Sequence, residues 1–139
     1  MTNSRRILCV DDHADTCALI ATNLGEYEVI SALSKSQGVH TAKSQDFDLI
    51  LLDYHLRDGS GPELSKQIRE FNPNIPILFV TGTYTMSKSE VLEAGAQGVI
   101  KKNTVADLLP GAVKELFAMI DREASPDDEF CISTVSRFL

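Results

Sequence analysis

The chain has 139 residues, a hydrophobic fraction of 43% and a formal net charge of −7, which suits a single domain with a two-sided core and leaves no room for a second, effector domain. The acidic balance argues against a nucleic-acid surface, because phosphate-backbone binding needs clustered Lys and Arg. Asp11 and Asp12 interrupt any apolar region after Arg5-Arg6, no stretch approaches the ~20 apolar residues of a membrane span, and Cys9, Cys17 and Cys131 lack CxxC spacing, so a cytoplasmic, reducing location is expected.

Ile7-Leu8-Cys9-Val10 is an apolar run closed by the carboxylates Asp11-Asp12, and it reads as a buried parallel strand. Cys17, Ile20, Ala21 and Leu24 follow the i, i+3, i+4, i+7 pattern and predict a first helix near 14–25, with Gly25 placed to end it. Val29, Ile30, Ala32 and Leu33 make a second strand, and the polar segment 36–45, with only Val39 and Ala42 apolar, reads as a second helix. The apolar run Leu49 to Leu52 is a third strand, closed by Asp53. A turn-rich stretch, Arg57-Asp58-Gly59-Ser60-Gly61-Pro62, leads into a third helix presenting Leu64, Ile68 and Phe71; Ser60 and Glu63 have capping-box spacing, and Pro62 suits a first turn. Asn72-Pro73-Asn74 breaks that helix, and Pro76 to Val80 forms a fourth buried strand ending at Thr81. Ser87 and Glu90 repeat the capping-box spacing before a short helix stopped by Gly95, and the segment 98–102 gives a fifth strand. Val105, Leu108, Leu109, Ala112, Val113, Leu116 and Ile120 then hold a 3.6-residue stripe through a final helix, with Thr104 and Asp107 in capping-box positions.

Strands alternating with helices predict an α/β fold with a mostly parallel sheet covered on both faces, since parallel strands need crossover helices. The domain is expected to span 1–122. The remainder, 123–139, joins an acidic linker to Phe130-Cys131-Ile132-Ser133-Thr134-Val135-Ser136-Arg137-Phe138-Leu139 and reads as a frayed end or a docking segment. Open α/β folds place their chemistry where strands emerge from the sheet, which is where Asp11, Asp12, Asp53 and Thr81 fall. Three carboxylates converging there repel one another unless a divalent cation joins them or one stays protonated, so the pattern points to a metal-assisted acidic site.

Val10-Asp11-Asp12, Leu51-Leu52-Asp53-Tyr54-His55-Leu56-Arg57-Asp58-Gly59-Ser60-Gly61, Val80-Thr81-Gly82, and Ala94-Gly95-Ala96 leading to Lys102 resemble the receiver domain of two-component response regulators over roughly Arg5 to Ile120. The resemblance implies a flavodoxin-like (βα)5 three-layer sandwich with strand order 2-1-3-4-5. It implies Asp53 as the phosphoacceptor, with Mg²⁺ held by Asp12 directly, by Asp11 partly through water, by Asp53, and by the backbone carbonyl of His55. The Thr81 hydroxyl and the Lys102 ammonium are implied as partners of phosphoryl oxygens, the family spacing selecting Lys102 over Lys101. The function implied is phosphorelay signalling: a stand-alone receiver takes a phosphoryl group from a histidine kinase or histidine phosphotransfer protein and acts by binding a downstream protein. Such a switch catalyses its own phosphorylation and dephosphorylation but turns over no independent substrate.

Three positions depart from that family pattern. Val99 stands where Tyr or Phe is usual, Asn103 replaces a proline, and Arg57 stands where proline is frequent. A non-proline cis bond costs about 2.5–4 kcal/mol, so the Asn103 peptide is expected to be trans. Loss of the usual aromatic keeps a second reading in view, a pseudo-receiver that serves as an interaction or dimerisation module independent of phosphorylation. An Asp-nucleophile phosphohydrolase fits less well, because Tyr54-His55 does not place a second aspartate two positions after Asp53. Tyr84 and His55 read as exposed loop residues, His55 being near enough to Asp53 to influence water access.

Overall fold

The fold was obtained as a computed structural model that describes residues 4–82 and 84–123. In chain order its elements are β1 (Arg6–Val10), α1 (Ala14–Asn23), β2 (Glu28–Ala32), α2 (Lys35–Ser44), β3 (Leu49–Leu52), β4 (His55–Leu56), β5 (Gly59–Ser60), α3 (Gly61–Phe71), β6 (Ile77–Thr81), α4 (Lys88–Glu93), β7 (Gly98–Lys101) and α5 (Val105–Glu123). Five strands form one parallel sheet in the order β2-β1-β3-β6-β7. The short hairpin β4–β5 is not counted in the predicted numbering, so this is the predicted 2-1-3-4-5 arrangement.

Period-two alternation along the buried strands supplies both faces of the core. Ile7, Cys9, Leu49, Leu51, Leu78 and Val80 point to the layer shared with α1 and α5. Leu8, Val10, Ile50, Leu52, Ile77 and Phe79 point to the layer shared with α2, α3 and α4. Burying each such side chain contributes about 1.5–3 kcal/mol, which is why strands apolar on both faces sit at the centre of the sheet.

Helix boundaries follow local chemistry. Ser60 accepts from the Glu63 N–H while Glu63 accepts from the Ser60 N–H, and Ser87 and Glu90 do the same for α4, as their spacing predicts. Gly95, at φ 78°, follows α4 in the left-handed conformation, and the Ala96 N–H closes back on the Val91 carbonyl. Asp58 caps α2 from a distance by accepting the Lys35 and Ser36 N–H groups at 2.6 and 2.9 Å, which holds its carboxyl below the ordinary range.

Several sequence expectations are revised. The first helix ends at Asn23 rather than Gly25, and β7 stops at Lys101 because residues Lys102–Thr104 form a 3₁₀ turn. Within that turn the Thr104 hydroxyl donates to the Lys101 carbonyl at 2.8 Å, so it is engaged with the preceding strand. Leu108, on the expected apolar stripe, is 55% exposed, since α5 contacts the sheet through Val105, Leu109, Val113 and Leu116. The segment Phe130–Leu139 and Cys131 lie outside the described residues.

Candidate functional site

The sheet ladder carries the acidic residues to a common edge. The Asp11 N–H donates to the Ala32 carbonyl at 3.1 Å and the Asp53 N–H to the Val10 carbonyl at 2.9 Å, so both acids are still hydrogen-bonded members of the sheet as their side chains leave it. Register places Val10 beside Leu52, Leu52 beside Phe79 and Thr81 beside Lys101, which brings the ends of β1, β3, β6 and β7 level. Ligand-sized donor atoms of Asp11, Asp12, His13 and Asp53 lie within 4.8 Å of one another. Across from them, Lys102 Nζ lies 2.9 Å from Asp11 Oδ2 and 3.2 Å from Asp53 Oδ2. Lys101, one residue earlier, is exposed on the strand.

Burial sets the electrostatics. Asp11, Asp53 and Thr81 are all buried. Desolvation first, and the Asp11 charge second, push the Asp53 carboxyl up, against the pull of Lys102 and of the Tyr54 N–H that donates to Asp53 Oδ1 at 2.9 Å. Partial burial works to lower the Lys102 ammonium, but Asp11 and then Asp53 outweigh it and hold it above its ordinary value. One lysine against three carboxylates leaves negative charge that suits a divalent cation. Oxygen-rich donors are the ligand type that Mg²⁺ prefers. The Thr81 hydroxyl is buried at the same edge with no hydrogen-bond partner among the described residues. An orphaned hydroxyl of this kind costs about 1–3 kcal/mol, and an arriving anionic oxygen would satisfy it.

A cavity of about 220 Å³ opens at this edge, lined by Asp12, His13, Asp53, Tyr54, His55, Leu56, Gly82, Tyr84 and Lys102. His55 thus lies at the rim on β4, two residues after Asp53. Tyr84 is less idle than its loop position suggests: its ring packs on Tyr54 at 4.4 Å, and its hydroxyl sits 2.9 Å from both oxygens of Glu90. That carboxylate pushes the Tyr84 phenol up to about 12.

Two residues at the site escape sequence reasoning. His13 brings its Nδ1 to 3.2 Å from Asp11 Oδ1 and 3.1 Å from Asp12 Oδ1; its adjacency to the acid pair was the available signal. Gly61 lies so close to the main chain of Asp53 that an added Cβ would stand 2.2 Å from the Asp53 carbonyl oxygen. This approach lets the β4–β5 hairpin fold back over the acid, tied by a 2.7 Å hydrogen bond from the Gly61 N–H to the Tyr54 carbonyl.

Comparison with known proteins decides the family. The model of the response regulator receiver domain matches residues 7–114. The chain belongs to the response regulator receiver family. A relative is the transcriptional regulatory protein ZraR of Klebsiella oxytoca, 31% identical over 126 residues, a match covering 88% of this chain and 28% of ZraR. The receiver therefore spans less than a third of that regulator's length. Among solved structures, a CheY-like receiver domain protein from Methanospirillum hungatei superposes with a TM-score of 0.80 at 29% identity, covering 88% of this chain and all of that one. The response regulator TrrA of Thermotoga maritima, solved in complex with Mg²⁺-BeF, superposes with a TM-score of 0.73 at 29% identity, covering 81% and 98% of the two chains. Receivers are the phosphoacceptor switches of two-component signalling, which places this chain in phosphorelay signal transduction.

The departures from the receiver pattern have visible consequences. Val99 is partly buried and, with Leu108 and Gly111, lines an open groove of about 610 Å³ between β7 and α5. The described peptide bonds, including that before Asn103, are all trans. No helix of the described residues is long and apolar enough to cross a membrane.

Proposed function

We propose that this receiver accepts a phosphoryl group on Asp53 in a Mg²⁺-dependent reaction, with a phosphohistidine of a kinase or phosphotransfer protein as donor, and signals by binding another protein. The observation that carries this reading is the placement of Lys102 Nζ between Asp11 and Asp53, with the unpartnered Thr81 hydroxyl buried at the same edge. Asp11, Asp12, Asp53 and the main-chain carbonyl of His55 are the groups that would hold the ion. When bound, the ion supplies neutralisation of phosphoryl oxygen charge.

The protein's own groups do the rest. A carboxylate is a weak nucleophile, so positioning matters more than a general base. The Tyr54 N–H fixes Asp53 Oδ1 and leaves Oδ2 facing Lys102. Attack by a carboxylate oxygen forms a P–O bond as the P–N bond of the phosphohistidine breaks, and the released imidazole keeps its electron pair. Lys102 then turns from carboxylate to phosphoryl oxygen, and Thr81 donates its free hydroxyl to another. Water attack on phosphorus later returns the carboxylate and inorganic phosphate, so the mark is self-erasing and the chain acts as a switch. That TrrA, similar in fold and sequence, was solved in complex with Mg²⁺-BeF supports the Mg²⁺ part of this reading.

Incubation with Mg²⁺ and acetyl phosphate, read by intact mass, tests the proposal. One phosphate adduct is expected on the wild-type chain and none on Asp53→Asn. An unmodified wild-type chain would favour the pseudo-receiver reading, in which the altered Val99 face acts without phosphate.

A further inference from the structure

We propose that His13 is a nitrogen donor to the cation site of this receiver, so that the site accepts imidazole-preferring divalent ions such as Ni²⁺, Cu²⁺ and Zn²⁺ through a contact that Mg²⁺ does not use. The proposal rests on the reading that the acidic edge holds a divalent cation. It adds which ions the edge selects.

The geometry is that of neighbouring ligands. A single ion with bonds of about 2.1 Å sets adjacent donors about 3.0 Å apart and opposite donors about 4.2 Å apart. His13 Nδ1 stands 3.1 and 3.2 Å from the facing oxygens of Asp12 and Asp11, and the four donors including Asp53 lie within 4.8 Å. The backbone of His13 is already committed: its N–H donates to Asp11 Oδ1 at 2.8 Å, and its carbonyl accepts the Thr16 and Cys17 N–H groups that start α1. The ring makes no capping hydrogen bond to α1, although His13 is the N-cap residue. Its Nδ1 faces Asp11 Oδ1 at hydrogen-bond distance, and an ion seated between them would replace that N–H contact with a lone pair from the same nitrogen; the well-exposed ring loses little hydration by doing so.

Ligand chemistry supplies the selectivity. Mg²⁺, Ca²⁺ and Mn²⁺ suit oxygen donors, whereas imidazole suits Ni²⁺, Cu²⁺ and Zn²⁺. Three carboxylates alone would already bind Ni²⁺ more tightly than Mn²⁺ by the general order of affinities, so preference by itself is not diagnostic. Dependence on His13 is. If the ring instead only donated Nδ1–H to the acids, it would compete with every cation alike.

Competition titrations of the full reduced chain with Ni²⁺ and with Mg²⁺, on wild type and His13→Ala, separate these cases. Even a group that merely supports a metal ligand costs 10–100-fold in affinity when removed, so a loss of at least about tenfold for Ni²⁺ is expected, with Mg²⁺ changed by less than about threefold. Spin-echo EPR of the Cu²⁺-loaded chain is expected to show ¹⁴N modulation that disappears in His13→Ala. No Ni²⁺ binding to the wild type, equal losses for both ions, a gain for both, or ¹⁴N modulation that survives the substitution would each overturn the proposal. A chain that binds Ni²⁺ through His13 yet gives no Asp53 adduct with Mg²⁺ and acetyl phosphate would uphold this inference and sink only the phosphoacceptor reading.

Discussion

Gly61→Ala isolates the close approach that folds the chain back over Asp53. Gly61 is the first residue of α3, where alanine would ordinarily stabilise by about 0.4–1 kcal/mol through the unfolded state. Here the new Cβ would stand 2.2 Å from the Asp53 carbonyl oxygen and 2.9 Å from Phe79 Cε1, and the nearer obstacle is main chain that cannot swing aside. Overpacking of this kind costs typically about 1–3 kcal/mol, so the clash outweighs the entropic gain and the net effect is a loss of about 1–2 kcal/mol. With a urea dependence of about 1–3 kcal/mol/M, the unfolding midpoint falls by about 0.3–2 M. Gly111→Ala is the matched control, because it lies inside α5 with nothing within 4 Å of the added carbon; its midpoint should rise, reflecting about 0.8–1.0 kcal/mol of helix propensity. A Gly61→Ala midpoint at or above that of the wild type would refute the reasoning.

Three other perturbations bear on the site and its supports. Because the Asp53 carboxyl is pushed up by burial, its contribution to stability is present below about pH 3.9 and is lost as pH rises through its folded value; without metal, thermal unfolding should show Asp53→Asn gaining on the wild type between pH 4 and 7, and parallel profiles would contradict this. Arg69 donates to the Gly95 carbonyl through Nε at 3.0 Å and Nη2 at 2.7 Å, and to the Asn72 carbonyl at 3.0 Å, so Arg69→Ala should cost about 1.5–3 kcal/mol in urea unfolding, with Arg69→Lys recovering less than half because an ammonium cannot fork. Glu90→Gln should bring the Tyr84 phenol back down from about 12, seen as an earlier rise in alkaline tyrosinate absorbance; an unmoved titration would show that Glu90 does not hold the phenol.

What the sequence made legible was whatever repeats or closes a run. Ile7-Leu8-Cys9-Val10 and Leu49-Ile50-Leu51-Leu52 announce buried strands, and the acids that end them announce the candidate site. Ser60 with Glu63, and Ser87 with Glu90, set two helix starts because capping is local chemistry. The less legible features depend on partners distant in sequence. Two-residue strands such as β4 and β5 carry no periodicity. Asp58 looks like a turn residue until α2 arrives above it. Leu108 fits the apolar stripe in spacing, yet the sheet is too narrow at β7 to cover it. His13 and Gly61 carry no pattern of their own, and their use appears only when the ends of β1 and β3 are brought level.

The placement of Lys102 also limits how far a phosphoryl signal can travel as electrostatic field. Asp11, Asp12 and Asp53 against this one tethered ammonium leave two formal negative charges at the edge, which one divalent ion cancels. Converting the Asp53 carboxylate to its phosphate then adds only about one more negative charge. At physiological ionic strength such a disturbance fades over about 8 Å once it reaches solvent. If the edge is phosphorylated as proposed, a partner on the β7–α5 groove, whose lining includes Lys101 and Thr104 near Lys102, would be reached through displacement of Thr81 and Lys102, the two side chains that close β6 and follow β7. On the proposed function, the lysine that offsets the charge of the edge at rest would also be the mechanical link by which the groove face learns that the edge has changed.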